Sequence, residues 1–408
     1  MKERVTQLKY YDFFAGVGLV GLGLGEQWTC LWANDFDQRK EEVFVKNFSR
    51  VFFKRGDVSN VKASDLPDTA DLAWASFPCQ DLSLAGWRQG MTAKRSGVFW
   101  EFWRIIRELK EEKRSPNLLA IENVAGLLYG DNFIGLCEAL ASLGYRFGAI
   151  IIDAKHFVPQ SRPRVFIVAI DEKIFFTGFT LHERPLKNSI WHPTKLLKTI
   201  EDFDPDLKKL WIWWNLPTPE KKSLAFSNLI TEPEKNDPSW YSDDEVKKLL
   251  GLMNEHHRKK IEDAKAEKGK RLVLTVYKRM RQAEQRAEVR NDGLSGCLRI
   301  PGGGSSRQIM IIVQDGNIRA RLINRRELAR LMGAPDSFWL PNHYNNAYRA
   351  MGDAVVVPAV KWLADHILTP LAKQIRQIRQ PAEPKSAIKD QYLNRSLKRI
   401  EEWKQNGA

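Results

Sequence analysis

Two short segments, each following an apolar run, carry side chains capable of chemistry. Cys79 lies in SFPCQ (76–80) and Glu122 lies in IENV (121–124). A thiol in a loop after a strand can act as a nucleophile, and a nearby carboxyl group can donate or accept a proton. An isolated cysteine is more often a small buried apolar residue, so the thiol alone does not establish a catalytic site.

Two arginines precede a later apolar run. Arg162 and Arg164 lie in PQSRPRVF (159–166). Two guanidinium groups just before a strand could form a structural ion-pair cluster, and either arginine taken alone would usually belong to one.

A glycine-rich segment near the N-terminus predicts a nucleotide-like ligand. YDFFAGVGLVG (11–21) contains the pattern GxGxxG at a predicted strand-to-helix turn. Asp35 or Asp37, after the second strand, is suited to bind ribose hydroxyls, Phe14 offers a face to an adenine ring, and Asp57 could accept from its amino group. A lone glycine pattern is weak evidence, so NAD, FAD, S-adenosylmethionine and tight packing without a ligand all remain open.

The elements that must position these side chains alternate as in a parallel α/β sheet. Seven strands are predicted, at 8–14, 30–35, 51–58, 71–77, 118–124, 147–154 and 164–170. Helical periodicity occupies 17–28, 38–48, 98–113 and 131–143. Because ligands bind at the carboxyl edge of such a sheet, we expect Cys79 and Glu122 to meet there.

The composition and the pattern of the sequence change after residue 175, which predicts a domain boundary there. Prolines, charged stretches and the tryptophan cluster WIWW (211–214) replace the β/α alternation. Ser242 and Glu245 form a capping box that predicts a helix near 243–265. Segment 268–290 carries eight Lys or Arg and two Glu, and is either a solvated face or a phosphate-contacting surface.

A hairpin and further helices are predicted toward the C-terminus. Three glycines (302–304) form a flexible loop before the β-like run IMIIV (309–313), and a turn at DGN leads to IRARLI. Helical periodicity returns at 325–332 and 355–371. The segment 376–408 is predicted to be a basic, peripheral tail.

Composition favours an anionic partner. Lys and Arg total 64 and Asp and Glu total 50, a formal net charge of +14, which favours nucleic acid over a membrane surface. The chain has no run of 18 apolar residues and no secretory signal, so we expect a cytoplasmic protein. Its four cysteines contain no CxxC pair, which argues against a disulfide framework and a metal site.

Taken in order, the motifs resemble the DNA (cytosine-5) methyltransferase family. The matching blocks are DFFAGVG, ANDFD, RGD, SFPCQDLSLAG, IENV, PQSRPRVF, RELARLMGAPDSF and AYRAMGDAVVVPAV. They span roughly 10–170 and 297–372. The resemblance implies a Rossmann-like, S-adenosylmethionine-dependent methyltransferase domain with a mostly parallel seven-stranded sheet, and a smaller irregular target-recognition domain.

The resemblance also implies catalytic roles. Cys79 would attack carbon 6 of a cytosine, Glu122 would activate ring nitrogen 3, and Arg164, together with Arg162, would hold the base carbonyl oxygen. The cytosine must leave the DNA stack before a thiol can reach it. The family chemistry requires no metal.

Nine positions are implied to bind S-adenosylmethionine, the product being S-adenosylhomocysteine. They are Phe14, Gly16, Gly18, Asp35, Phe36, Asp57, Val58, Pro78 and Asp353. Three positions depart from many relatives: Leu19 replaces a glycine, Asp35 replaces a glutamate, and Asp353 replaces an asparagine. A carboxylate at 353 would suit the ammonium group of the cofactor better than its carboxylate.

The same resemblance divides the chain by function. Residues 1–175 would form the catalytic domain, 176–322 the target-recognition domain and 323–375 a segment that returns to the catalytic domain. The loop Arg299–Gln308 resembles a groove-entering recognition loop, in which Arg307 and Gln308 could read base edges or contact phosphate. The implied DNA-contacting residues are Gln80, Ser83, Arg299, Arg307 and Gln308.

The implied partner is double-stranded DNA, and a cognate restriction endonuclease is a family-level expectation. We expect a monomer, encoded by a prokaryote or phage, associated with the nucleoid through DNA.

Three other functions remain open from the sequence. One branch of this family modifies transfer RNA, although the long basic variable region favours DNA. A non-catalytic DNA-binding regulator would not need Cys79, Glu122 and Arg164. An oxidoreductase dependent on NAD or flavin rests on the glycine pattern alone.

Overall fold

The structure is a computed structural model that describes residues 7–48, 52–78, 97–129, 132–181, 183–185, 189–220, 224–231, 233–234, 237–300 and 307–378. The chain divides into two compact units. The first comprises Met1–Ile152, Pro163–Thr218 and Val360–Ala408, and the second comprises Asp153–Arg162 and Pro219–Ala359.

The described strands and helices are as follows. The strands are β1 Leu8–Phe13, β2 Trp28–Asp35, β3 Phe53–Arg55, β4 Leu72–Ala75, β5 Leu118–Val124, β6 Tyr145–Asp153, β7 Pro163–Asp171, β8 Arg271–Arg281, β9 Glu284–Arg290, β10 Ile309–Gln314 and β11 Asn317–Leu322. The helices are α1 Leu19–Leu24, α2 Gln38–Asn47, α3 Val98–Glu111, α4 Asn132–Ser142, α5 Thr194–Glu201, α6 Pro205–Lys209, α7 Asp243–Gly251, α8 Glu255–Ala266, α9 Arg325–Leu331, α10 Tyr344–Asp353, α11 Val357–Leu363 and α12 Thr369–Gln377.

A seven-stranded sheet organises the first unit, in the order β3-β2-β1-β4-β5-β7-β6. The pairs β1–β2, β1–β4, β2–β3 and β4–β5 are parallel, and β5–β7 is antiparallel. The strand order reverses between β1 and β4, the point at which open α/β sheets bind ligands. The loops after these two strands carry the glycine segment and the approach to Cys79.

Helix α3 forms much of the core of the first unit because its apolar residues recur at helical spacing. Phe99, Phe102, Trp103 and Ile106 are buried, and the rings of Phe102 and Phe13 lie 5.0 Å apart. Side chains of this size each contribute roughly 2–3 kcal/mol on burial. The helix therefore anchors the end of β1, where the glycine loop starts.

The predicted boundary at residue 175 is corrected by the packing of the tryptophan cluster. Ile212 N–H donates to the Phe147 carbonyl (2.7 Å), and the fully buried Trp214 donates through Nε1 to the Val168 carbonyl (3.2 Å). Residues up to Thr218 therefore belong to the first unit. These large aromatic side chains gain more by covering β6 and β7 than by standing in a separate domain.

The C-terminal helices, from Val360 onward, also belong to the first unit. Trp28 donates through Nε1 to the Thr369 hydroxyl (2.9 Å). A π-helical turn, Ala364–Leu368, precedes α12, because Pro370 lacks an N–H and disturbs the hydrogen-bond ladder. Within the described part of the chain, Tyr344–Gln377 is long and apolar enough to cross a membrane by composition, but 61% of its most apolar window is buried.

The second unit is more regular than its sequence suggests. Strands β11-β10-β8-β9 form an antiparallel sheet, and α7 and α8 contribute buried residues to its core. The predicted hairpin is present as β10 and β11, joined at Asp315 and Gly316, which both have positive φ. The single helix predicted at 243–265 is instead two helices, since Asn254 accepts a hydrogen bond from His257 N–H and caps a new start.

Candidate active site

The glycine loop follows β1 and contains two glycines with different surroundings. Gly16 (φ 58°) and Gly18 (φ 84°) both have left-handed backbones. A Cβ atom at Gly18 would lie 2.4 Å from the Phe48 ring, whereas at Gly16 the nearest atom would be the Phe14 carbonyl oxygen at 4.0 Å. Gly18 is therefore required for packing, and Gly16 is where another molecule could approach the backbone.

Asp35, at the end of β2, is bound to this loop. Its buried carboxylate accepts from Gly16 N–H and Asp37 N–H, each at 3.0 Å, and lies 3.6 Å from Lys40 Nζ. Asp37 instead caps α2 by accepting from Arg39 N–H (2.8 Å). Of the two acidic residues left open by the sequence, Asp35 belongs to the loop.

Asp12 in β1 is a site residue that the sequence motifs did not single out. It is 1% exposed, and neither carboxyl oxygen has a hydrogen-bond partner among the described residues. Burial, with the nearby Asp35 carboxylate, raises the pKa of Asp12 well above its usual range. The neutral carboxyl group that burial favours has unmet hydrogen-bonding capacity, which a polar group of a ligand could satisfy. An acidic residue within an apolar strand was the available signal.

The remaining cofactor candidates of the first unit follow β2 and β3. Phe36 is 67% exposed although it is aromatic, so its ring is available to cover a ligand. Asp57 is exposed and accepts from Ser59 N–H (2.9 Å), which caps the turn Val58–Asn60. Val58 is buried and supports this turn.

The segment after β4 leads to the predicted nucleophile. Asn123 donates through Nδ2 to the Phe77 carbonyl (3.3 Å), so the end of β5 holds the residues that precede Pro78. The rings of Phe77 and Phe14 lie 6.5 Å apart, which connects this segment to the glycine loop. Cys79, Gln80 and Ser83 lie outside the described residues.

Glu122 and Arg164, to which the family resemblance gives roles at the same base, lie side by side in the structure. Strand pairing sets Val124 opposite Arg164, so Glu122 and Arg164 are diagonal neighbours on one face of the sheet. Arg164 Nε lies 3.1 Å from Glu122 Oε1. The pair stands at the carboxyl end of β5, next to Asn123 and the segment that leads to Cys79.

Arg162 has a different environment from the one predicted. It is 3% exposed and belongs to the second unit. Its guanidinium donates to the main-chain carbonyls of Leu298 (2.8 Å), Gly352 (2.9 Å) and Ala354 (2.8 Å). A guanidinium held by three carbonyl groups is suited to fix the backbone, so a direct role at the base carbonyl is not supported.

The other predicted residues of the second unit divide by burial. Arg299 and Asp353 are exposed. Arg307 is half-buried and donates to Asn345 Oδ1, with its guanidinium 5.8 Å from the Tyr344 ring. Gln308 is 3% exposed, with its side chain against Gly296, so the prediction that Gln308 reads base edges is corrected.

A protruding arm in the second unit was not identified as a separate element from the sequence. Strand β8 pairs with β10 only as far as Val276, and beyond it residues 277–288 form a two-stranded ribbon, held at its base where the buried Ala287 donates its N–H to the Leu252 carbonyl (3.0 Å). Gln282 and Ala283 form the tip with positive φ, and Met280 is 49% exposed. The arm carries four basic and two acidic side chains, and a two-stranded ribbon of this kind fits a DNA major groove.

Comparisons with known proteins agree with this geometry. The family profile described as C-5 cytosine-specific DNA methylase matches residues 8–369. The Type II methyltransferase M.BsuFI of Bacillus subtilis is 27% identical over 376 residues, covering 89% of this chain and 73% of that protein. The Type II methyltransferase M.HhaI of Haemophilus parahaemolyticus is 26% identical over 370 residues, covering 90% and 95%.

Solved structures agree on the fold. S. pombe Dnmt2 methyltransferase superposes with a TM-score of 0.58 at 17% identity, over 90% of this chain and 99% of the other. The α/β fold predicted from the sequence is confirmed, and the family match decides against an oxidoreductase dependent on NAD or flavin. The chain therefore belongs to the C-5 cytosine-specific DNA methylase family and is a DNA (cytosine-5) methyltransferase.

Proposed function

We propose that this chain methylates carbon 5 of a flipped-out cytosine within a specific sequence of double-stranded DNA, through a covalent intermediate on Cys79. The observation that carries the proposal is the pairing of Glu122 with Arg164 (3.1 Å) at the carboxyl end of β5. The hydrogen bond from Asn123 to the Phe77 carbonyl ties this edge to the segment that leads to Cys79.

The chemistry requires a nucleophile because carbon 5 of cytosine is itself a poor one. The Cys79 thiolate forms a bond to carbon 6, while Glu122 supplies a proton or hydrogen bond to ring nitrogen 3. Arg164 donates to the base carbonyl oxygen and stabilises negative charge in the ring. Carbon 5 then carries electron density and forms the new carbon–carbon bond. Loss of the carbon 5 proton expels the thiolate and restores the aromatic ring.

S-adenosylmethionine, when bound, supplies the methyl group and leaves as S-adenosylhomocysteine. The residues present fit this molecule. Asp12 offers an unpartnered carboxyl group to a polar atom, Gly16 leaves the backbone open, and the exposed ring of Phe36 can cover an adenine. Asp57 could accept from the adenine amino group. Asp353 is proposed to address the ammonium group of the methionine portion.

The second unit is proposed to recognise the DNA. Arg299 and the basic arm 277–288 supply exposed positive charge, which contributes affinity through phosphate contacts. Residues 301–306 of the predicted recognition loop, like Gln80 and Ser83, lie outside the described residues. Extrusion of the target base costs roughly a few kcal/mol, which these contacts offset.

The biological setting is proposed from the relatives. M.BsuFI and M.HhaI are named Type II methyltransferases, which supports protection of DNA in a restriction-modification system. We infer a cytoplasmic monomer, and the proposed partner is a cognate endonuclease that acts on the same site.

The proposal is tested by transfer of a labelled methyl group to duplex DNA, followed by bisulfite sequencing of DNA from cells that express the chain. We expect one cytosine within one sequence context to be protected, and Cys79→Ala to abolish protection. Transfer RNA serves as the competing substrate. Transfer to RNA rather than duplex DNA would contradict the proposal, as would full activity of Cys79→Ala.

A further inference from the structure

A buried polar cluster in the second unit joins the segment Asp153–Arg162 to residues 295–298. Ser295 N–H donates to the Pro159 carbonyl (2.8 Å), and Ser161 N–H donates to the Ser295 carbonyl (3.0 Å). Gln160, fully buried, donates to the Leu331 carbonyl (2.8 Å). The two segments therefore run side by side through a single parallel bridge between Gln160 and Ser295.

Leu298 is held at both of its main-chain polar groups. Its N–H donates to Gln160 Oε1 (3.1 Å), and its carbonyl accepts from Arg162 Nη1 (2.8 Å). Leu298 directly precedes Arg299, the first residue of the predicted recognition loop. Gln160 and Arg162 thus determine the direction in which the chain enters that loop.

The same guanidinium also holds the end of α10. Arg162 Nη2 donates to the carbonyls of Gly352 (2.9 Å) and Ala354 (2.8 Å), the residues on either side of Asp353. A Cβ atom at Gly352 would lie 3.3 Å from Ile300 N, so the two backbones are close enough that a side chain at position 352 would be crowded. Arg162 therefore connects the root of the recognition loop with the residue proposed to face the cofactor.

We propose that Arg162 is a positioning residue that sets the Arg299 segment and the Asp353 segment together, so that one buried side chain supports the affinity for both DNA and cofactor. The proposal rests on the proposed function, which assigns those two segments to the two ligands. A planar guanidinium donates to several carbonyls at fixed angles, whereas the single ammonium of lysine cannot reproduce that geometry. Gln160 bonds to Leu298 and to the Leu331 carbonyl of α9, whereas the carbonyls of Gly352 and Ala354 accept from Arg162, so Gln160 provides a matched comparison that leaves the Asp353 segment untouched.

The test measures binding separately from chemistry in the full chain. Arg162→Lys is expected to weaken the Kd of S-adenosylhomocysteine and the Kd of a duplex bearing the bisulfite-defined site, each by about tenfold. Both constants are measured by titration calorimetry. The single-turnover methylation rate at saturating ligands should stay within about threefold of the parent. Gln160→Met is expected to weaken the duplex alone, and Arg164→Lys to lower the rate while the cofactor Kd is unchanged.

Three outcomes would overturn the proposal. The first is an Arg162→Lys protein with parental Kd values and a reduced rate, which would place this guanidinium at the base. The second is equal weakening of both ligands by Gln160→Met and Arg162→Lys, which would indicate general loss of the unit. The third outcome applies if Arg162→Lys does not fold: it is a Gln160→Met protein whose Kd for the duplex equals that of the parent. A parent that binds both ligands without methylating DNA would refute the proposed function and leave this comparison of Kd values valid.

Discussion

Two Arg–Glu ion pairs, one in each unit, show how the same chemistry serves different ends. In the first unit, Arg164 Nε lies 3.1 Å from Glu122 Oε1 at the carboxyl end of β5. In the second, Arg321 donates to both oxygens of Glu327, at 2.6 and 2.8 Å. Glu327 also accepts from two main-chain N–H groups.

The difference lies in how completely each pair is enclosed. The side chains of Arg321 and Glu327 are 1% and 0% exposed, whereas those of Arg164 and Glu122 are 17% and 9% exposed. A buried pair whose carboxylate already accepts four hydrogen bonds holds strand to helix and has little left to offer a ligand. A pair at the edge where ligands bind can exchange partners with a base.

The largest expected effect separates these two pairs. Glu122→Gln keeps the size of the side chain but removes the acidic proton, so we expect the single-turnover methylation rate to fall by about 10²–10³-fold with little change in Tm. The matched control, Glu327→Gln, leaves Arg321 buried without its counter-charge and should cost about 3–5 kcal/mol of stability. Folded Glu327→Gln protein should methylate at the parental rate. Equal rate losses in the two variants would break the comparison.

A smaller effect concerns a buried titratable group away from the site. Burial lowers the pKa of His192 from 6.5 to about 4. The folded protein therefore disfavours the protonated ring, and the stability from neutral His192 is complete above pH 6.5 and is lost as the pH falls toward 4. We expect the free energy of unfolding to drop by up to roughly 3 kcal/mol across that range.

His192→Phe should reduce this pH dependence of the unfolding free energy. Urea unfolding is followed by tryptophan fluorescence, which reports on this region because the His192 ring lies 5.6 Å from that of Trp213. The exposed His256→Gln serves as control. An unchanged pH profile in His192→Phe would show that other groups dominate acid unfolding.

The same contrast between a structural position and a ligand-facing position applies to the two loop glycines, Gly18 and Gly16. Gly18→Ala would place Cβ 2.4 Å from the Phe48 ring at φ 84°, and we expect a loss of about 2 kcal/mol in unfolding free energy. Gly16→Ala has room for its Cβ and should lose roughly 1 kcal/mol of unfolding free energy. For each unit of stability lost, however, Gly16→Ala should weaken S-adenosylhomocysteine binding more than Gly18→Ala does. Thermal melts and calorimetric Kd values measure both. If the loss of S-adenosylhomocysteine binding is proportional to the loss of stability in both variants, Gly16 is not where the cofactor approaches the backbone.

The smallest effect concerns the arm 277–288. Arg281→Gln and Arg286→Gln each remove one positive charge, and each should reduce the slope of log Kd for duplex DNA against log salt by about 1, across unrelated sequences. Lys361→Gln, a charge change in α11, should leave that slope unchanged. An unaltered slope in both arm variants would exclude the arm from the DNA interface.

Much of the first unit was predictable because apolar runs mark its buried strands. The helix–strand order and the carboxyl-edge position of Glu122 follow from that pattern, whereas the meeting of Glu122 with Arg164 depends on the antiparallel pairing of β5 with β7. Strand ends were less predictable: of the predicted run 51–58, the described residues 52–58 form a strand only at Phe53–Arg55, since Asp57 starts a turn by capping it. Local capping overrides apolar pattern at such boundaries.

Tertiary contacts, which the sequence does not reveal, determine which of the predicted side chains are available to a ligand. Arg162 and Arg164 are two residues apart and were predicted to share a role, yet one faces main-chain carbonyls and the other a carboxylate. Gln308 has the residue type of a base reader but points into the unit. The unpartnered carboxyl group of Asp12 is visible only when its neighbours are known. Residue type predicts chemistry, and burial decides whether that chemistry is available.

The most direct test of the central claim uses a duplex with 5-fluorocytosine at the target position. Fluorine cannot leave as a cation, so the covalent intermediate should persist after methyl transfer. We predict a cofactor-dependent protein–DNA adduct with the modified peptide mapping to Cys79, formed more slowly by Glu122→Gln and absent in Cys79→Ala. Methylation of ordinary duplex DNA without such an adduct, or an adduct mapped to Cys30, Cys137 or Cys297, would contradict the account.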